Sequence, residues 1–356
     1  MHLIRVLISS LLISMTIITF SVYGHSDIIN KGVLVGPFTK KNDIPPRLEW
    51  NANFGYCGEI GLISAGLFYG QYMSQYTARS IASKNKPQNL QGSQLLLGVN
   101  DQYAASKMHL HPIEWDTAQE QNTRQFLAWV KQNVVRGFPV SIGVYANQYL
   151  FYGDTNPHAG DADYDHIVVV TGISSNHALS DPHYYADDII YFSDNGLWTG
   201  SGAPTYHFSY PFANFQANRT EANNPNGLIY SLANDGSNFG LALAGVIDTT
   251  GKTLPIKVQT DVNYEKPEIK NGSNTPPKPM PLSLTITVSG LKPGVLYHLY
   301  RYNTIAAVPN ANFNAHANAA YEKWDIKIPT GSTYVMSQKI QSNEIAIYRA
   351  VKASAP

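Results

Sequence analysis

The chain has 356 residues, and its 25 Lys plus Arg balance its 25 Asp plus Glu. That balance excludes the one-signed basic surface that a polyanion such as nucleic acid requires of its partner. Charged residues make up only 14% against 12% aromatic, with 23 tyrosines, which fits a rigid, well-packed extracellular protein with a polar aromatic surface.

Residues 1–24 open with one early cation, Arg5, followed by an uncharged run with Val22 and Gly24 near its end. A charged start, an apolar middle and small residues before a cleavage point predict a secretory signal peptide, with His25 as the mature start. No later stretch is long and apolar enough to cross a bilayer, so no stable membrane insertion is expected after cleavage. The length exceeds the ~250–300 residues at which single cores stop growing. We therefore expect a main domain over 25–260, a linker over 261–281 and a smaller domain over 282–356.

Export meets oxidising conditions in which cysteines normally pair. This chain has one cysteine, Cys57, in "FGYCGEIGL", so it is an inert buried thiol, an intermolecular crosslinker or a reactive group. Ile60, Ile63, Leu67 and Phe68 recur at helical spacing and predict a helix over about 58–76, with Cys57 at its N-terminus. Gly61 and Gly66 are unfavourable inside a helix and are expected to permit close packing against a neighbour. A second helix is predicted over about 117–136, carrying Phe126, Trp129, Val130 and Val134 on one face and ended by Gly137.

Strands follow at 139–146 ("PVSIGVYA"), 166–173 ("HIVVVTGI") and 188–193 ("DIIYFS"), the last ended by the turn signal "DNG". The valine run of the middle strand predicts burial on both faces. Residues 198–236 read as long loops with a short element at 228–234, and 262–281 as a polar, proline-rich linker. Alternation of apolar and polar residues over 282–303, with "TYVMSQKI" and "EIAIYRAV", predicts a small all-β sandwich for the tail. The expected fold class is α+β.

A cysteine nucleophile attacks as thiolate, which a helix N-terminus and a neighbouring histidine both favour. Cys57 meets the first condition. His166 meets the second, because it opens a buried strand from which an imidazole is aimed with little entropy to lose. A third group must accept from the other ring nitrogen to fix the tautomer, and Asp194 and Asn195 stand at the end of the next strand. Two other clusters carry weaker signals. "DADYD" (161–165) lacks the Gly and Glu positions of an EF-hand loop and reads as a solvated acidic loop, whose Asp165 adjoins His166 and is placed to tune its imidazolium. "HLHPIEWD" offers His109, His111, Glu114 and Asp116, but no third histidine follows at a recognised zinc spacing.

The stretches "NANFGYCGE", "GFPVSIGVY", "DHIVVVTGI" and "YFSDNG" resemble, in this order and over roughly residues 45–200, the papain-like cysteine peptidases. The likeness is greater to the branch of the bacteriocin double-glycine-leader peptidases, whose cysteine is followed by Gly, as in Cys57-Gly58. The resemblance implies a papain-like fold, Cys57 as nucleophile, His166 as general base and acid, Asp194 as orienting residue with Asn195 as the alternative, no cofactor, and a peptide or protein substrate. The family's oxyanion glutamine stands about six residues before the cysteine. This chain has Asn51 there, with Asn53 nearby, and the amide of Asn51 is the expected donor beside the Cys57 N–H. Two rivals use the same residues differently. One is a transglutaminase- or amidase-type acyl transfer. The other is a non-catalytic protein that keeps the fold and grips a cell surface or glycan through its β domain.

Overall fold

The apolar runs Val140–Ala146 and His166–Ser175 become inner strands of a nine-stranded sheet. The computed structural model describes residues 35–196, 208–261 and 270–354; the expected signal peptide lies outside the described residues. Strand (30%) outweighs helix (19%), so sheets form the scaffold of a mixed α+β fold and the helices lie on it.

In chain order the first half comprises β1 (Phe38–Lys41), α1 (Cys57–Phe68), β2 (Gln71–Tyr72), α2 (Gln75–Ala82), α3 (Asp101–Lys107) and β3 (Leu110–Glu114). Then come α4 (Thr123–Val135), β4 (Val140–Ala146), α5 (Gln148–Tyr152), β5 (His166–Ser175) and β6 (Ile189–Ser193). After these follow β7 (Phe208–Pro211), β8 (Gln216–Ala217), α6 (Arg219–Ala222), β9 (Tyr230–Ala233), β10 (Gly240–Val246) and β11 (Ile256–Thr260). The last five strands are β12 (Pro281–Ser289), β13 (Tyr297–Tyr302), β14 (Glu322–Ile326), β15 (Thr333–Gln341) and β16 (Ala346–Lys352).

The large sheet runs β3-β10-β4-β5-β6-β7, with β1 also paired to β5, and β9 joining β4 to β8. Its central strand shows why the valine run is continuous. Ile167 joins the core that contains Ile60, Ile63 and Leu67 of α1, while Val168 and Val170 join the one that contains Phe126, Val130 and Val134 of α4. Both faces of β5 are therefore covered over Ile167–Val170, which is why this run is continuously apolar.

Helix α1 is buried from Gly58 to Leu67 because it packs on β5 of the large sheet and also against β11, which leaves it no solvent face. Glycine makes the fit: a Cβ at Gly61 would lie 2.7 Å from the Ser141 hydroxyl on β4, and one at Gly58 2.0 Å from the Leu95 carbonyl.

The boundaries differ from expectation where local signals end elements. The first helix stops at Phe68 rather than near 76, because Gly70 turns the chain at a φ of 80° into β2. The second begins at Thr123, behind Asn122, whose side chain accepts from the N–H groups of Arg124 and Gln125. Within residues 198–236, β9 falls in the short element expected at 228–234, whereas β7, β8 and α6 form where loops are expected.

The tail departs further from a detached unit. Strand β11, expected in the main domain, pairs with β12 from Ile256↔Val288 to Thr260↔Leu284, and β12 pairs with β15. Strand β2 completes the other sheet through Ala346↔Tyr72 on β16. One continuous core takes in Leu67 and Tyr72 together with Leu284, Leu299 and Tyr348. The proline-rich segment 261–281 thus connects two neighbouring strands of one sheet. Among the described residues, no helix is long and apolar enough to cross a membrane.

Candidate active site

The approach to Cys57 is an unusual piece of backbone. Asn53, Phe54 and Gly55 take φ values of 47°, 70° and 83° in succession, a left-handed run that non-glycine residues seldom adopt. Arg79 of α2 holds it. Its Nη1 donates to the Asn53 carbonyl at 2.7 Å, its Nη2 to the Gly55 carbonyl, and its Nε to Glu59 at 2.6 Å. The guanidinium also lies 3.5 Å from the centre of the Tyr56 ring. Helix α1 then starts at Cys57, and Tyr56 at its cap provides no side-chain hydrogen bond. The first-turn N–H groups therefore have no side-chain acceptor, and their dipole is presented beside the thiol.

Two antiparallel strands deliver the other groups. His166 opens β5, opposite Val144 of β4, and the end of β6 lies beside that opening because Val169 pairs with Ser193. Asp194, the residue after β6, reaches His166 Nε2 with Oδ1 at 3.0 Å. It also accepts the Gly196 N–H at 2.6 Å and, through Oδ2, the Tyr230 hydroxyl. Burial opposes its ionisation, but the charge and hydrogen bond of His166, with those from Tyr230 and Gly196, hold the carboxyl below its ordinary range. An ionised carboxylate only accepts, so Nε2–H is the donor and Nδ1 is the ring nitrogen left free to act on Cys57, whose Sγ lies within 4.8 Å of the ring. Burial disfavours the imidazolium, yet Asp194, Cys57 and Glu49 outweigh it and raise His166 well above 6.5.

The two residues after β6 divide the work. Asp194 faces the imidazole, while Asn195 donates to the carbonyls of Cys57 and Ile167, each at 3.2 Å, and so joins the helix start to the strand start. The third residue of "DNG" is glycine for a local reason: a Cβ at Gly196 would lie 3.1 Å from Glu49 Oε1 and 3.4 Å from Asp194 Oδ1. Tyr230 closes the far side, its ring stacked on His166 at 5.6 Å between centres.

Cys57, His166 and Asp194 are thus brought together, and Asn51 is not. Its side chain is exposed, and among the described residues no hydrogen bond joins it to the others. Asn53 is committed elsewhere: its Nδ2 donates to the Ser273 carbonyl at 2.8 Å, and its Oδ1 accepts the Gly272 N–H at 2.8 Å. The left-handed run redirects the chain between these positions and the cysteine, so counting back along the sequence does not locate the neighbour of the thiol.

That neighbour is Glu49, which sequence reasoning missed. Its N–H donates to the Asn195 carbonyl at 2.8 Å, and its carboxylate, Cys57 Sγ and a His166 ring nitrogen lie within 4.8 Å of one another. Oε2 is buried with no hydrogen-bond partner among the described residues. Burial, assisted by Asp194 and Glu59 and opposed by His166 and Arg79, raises this carboxyl to about 7. These three side chains are also metal-capable, and the thiol and imidazole are close enough for proton transfer once a substrate draws them together.

The weaker signals resolve into structure. Asp165 accepts from Arg219 at 2.5 Å and from the Ala146 N–H at 2.8 Å, so its charge is spent there and not on His166. Both ring nitrogens of His109 are engaged at 3.0 Å, by Asn310 and by the Ile305 carbonyl, while His111 and Asp116 are exposed. No family model matches the chain, and neither curated proteins nor solved structures provide a match.

Proposed function

We propose that the protein is an exported cysteine peptidase that cleaves peptide bonds by acyl transfer through Cys57, His166 and Asp194. The observation that carries this reading is the convergence of Cys57, His166 and Asp194: the thiol sulfur lies within 4.8 Å of a His166 ring nitrogen, Asp194 holds Nε2 at 3.0 Å, and the thiol stands at the uncapped start of a buried helix. The placement of that helix on an antiparallel sheet bearing the histidine supports the papain-like likeness drawn from the motifs. The sheets of residues 256–352 are the proposed accessory β region.

Cys57 thiolate attacks the carbonyl carbon of the scissile bond, and the carbonyl oxygen becomes an oxyanion. The C–N bond breaks as His166 gives its Nδ1 proton to the leaving amine, and a Cys57 thioester remains. Water then loses a proton to His166 and attacks the thioester, which releases the acid and restores the thiol. Asp194 keeps the imidazole oriented throughout and stabilises the imidazolium in the steps where His166 holds the extra proton.

The test begins with alkylation of Cys57 by iodoacetamide in folded and denatured protein across pH, followed by a peptide-library digest read by mass spectrometry. The reading expects the folded thiol to react faster at pH 6 than the denatured one, and His166→Ala to remove the advantage. Cleavage in H₂¹⁸O should place one label on each new carboxylate and disappear in Cys57→Ala, by more than about a thousandfold. Products joined to an added amine would instead assign a transferase. A thiol that reacts only after denaturation would sink both.

A further inference from the structure

We infer that Glu49, as a neutral carboxylic acid, is a catalytic residue of the site, donating a hydrogen bond to the oxyanion in the place where the sequence led us to expect an amide. The inference rests on the acyl-transfer reading above and deepens it.

Three observations converge on this residue. The carboxylate lies within 4.8 Å of both the thiol sulfur and the imidazole, on the segment immediately before the left-handed run that leads into α1. In the proposed arrangement the oxyanion on a carbonyl carbon bonded to Cys57 is shared between the Cys57 N–H and the Glu49 side chain. Glu49 Oε2 is buried and has no hydrogen-bond partner among the described residues, an arrangement that costs stability unless the group acts on a ligand. Neither Asn51 nor Asn53 occupies that space.

A carboxylate there would only accept, and would repel the oxyanion. The acid form has an O–H to donate, and apolar burial is a known means of keeping a carboxylic acid neutral for that purpose. The charged and titratable groups facing Glu49 are His166, Asp194, Glu59 and Arg79, together with Cys57 and Tyr230. Glu59 and Arg79 neutralise one another in a buried ion pair at 2.6 Å, and His166 with Asp194 forms a second pair. The net field on Glu49 is therefore small and burial decides its state, which places its proton loss at about 7.

Two reagents separate this role from a general effect on the thiol. Iodoacetamide alkylates Cys57 by displacement at carbon, with no oxyanion. Para-nitrophenyl acetate acylates it through a tetrahedral oxyanion and reports nitrophenol release. In Glu49→Ala the acylation rate should fall by about 10²–10³-fold, the usual effect of removing one oxyanion donor, while alkylation stays within about threefold of wild type. Glu49→Gln, which supplies an N–H donor from a chain of equal length, should restore acylation to within about tenfold. The ratio of acylation to alkylation in wild type should fall as pH rises through about 7, and in Glu49→Gln it should stay flat.

Parallel loss of both reactions in Glu49→Ala, or loss of neither, overturns the inference and leaves the peptidase reading intact. Wild-type protein that neither alkylates faster than the denatured chain nor acylates overturns the peptidase reading, and this inference with it.

Discussion

Asn195 donates its side-chain amide to the carbonyl oxygen of Cys57 at 3.2 Å and to that of Ile167 at the same distance. One planar group therefore sets the separation between the helix that carries the thiol and the strand that carries the imidazole. Asn195→Ala should leave the His166–Asp194 pair in place but let the two elements shift. Displacements near 1 Å cost about 10²-fold in rate, so turnover should fall by about 10–100-fold. Loss of the buried bonds should lower unfolding free energy by about 1–3 kcal/mol, measured in urea. Unchanged turnover in a destabilised variant would assign Asn195 to folding alone.

Asp194→Asn removes the charge that holds His166 protonated while keeping the shape. Burial then opposes only the weaker raising influences of Cys57 and Glu49, so the His166 titration, followed by NMR, should drop from well above 6.5 toward its ordinary value. The signs give a stability window. Asp194, whose carboxyl is depressed, contributes above its unfolded value and loses the contribution as pH falls. His166, which is raised, contributes below its unfolded value and loses the contribution as pH rises. Wild type should therefore exceed Asp194→Asn in stability by most between about pH 4 and 6.5.

Tyr230→Phe deletes one hydrogen bond to an ionised carboxylate and keeps the ring stacked on His166. Such bonds contribute about 1.5–3 kcal/mol. The Asp194 carboxyl should move up toward its ordinary range, and the acid limb of any pH–rate profile should move up with it. A profile superimposable on wild type would show that Tyr230 only fills space.

Glu49 makes a prediction independent of turnover. Its folded carboxyl is raised to about 7, so the folded state binds this proton more tightly than the unfolded chain. The contribution is complete below about pH 4.5 and is lost as pH rises to 7, leaving an ionised, poorly solvated group above it. Glu49→Gln should therefore be more stable than wild type at pH 8, by about 3 kcal/mol at most, with little difference at pH 4.5. Equal stability at both pH values would mean that the carboxylate reaches water.

A buried pair far from the thiol provides a control. Lys131 and Asp188 are fully buried, 2.7 Å apart. Lys131→Met leaves Asp188 uncompensated and should cost about 3–5 kcal/mol, whereas the double change to Met and Leu should recover most of it. Alkylation of Cys57 in the folded fraction should not change in either variant.

Much of this arrangement is legible in the chain because it depends on local signals. The helix start at Cys57, the valine run that begins at His166 and the "DNG" turn after β6 each follow from residue pattern, and antiparallel pairing of β5 with β6 then brings Asp194 to His166. Glu49 and Tyr230 carry no such signal. Glu49 is a single acid in an irregular segment, and its place beside the thiol depends on three left-handed residues and on Arg79, which is supplied by a different helix. Tyr230 is one of 23 tyrosines, and reaches Asp194 only because β9 pairs with β4. Strand β10 was missed because "GLALAGV" is rich in small residues and lacks the β-branched character that marked β5. Pairing of β11 with β12 across the proline-rich segment was hidden because composition marks a break in the chain, whereas hydrogen bonding across that break follows register alone.

The seating of Tyr72 sets an order of events for the newly made chain. Its hydroxyl donates to the Ser342 carbonyl, a contact that spans 270 residues, and its strand is completed only by β16. Contacts this distant along the chain form late, since loop closure precedes any reward. Until the final strands arrive, α1 has a sheet on one side and water on the other, and Gly70, which should sit against Ile256, has nothing to hold its turn. The thiol-bearing helix therefore gains its full surroundings only once strands from the far end of the chain are in place. The reactivity proposed for Cys57 thus depends on the completed fold.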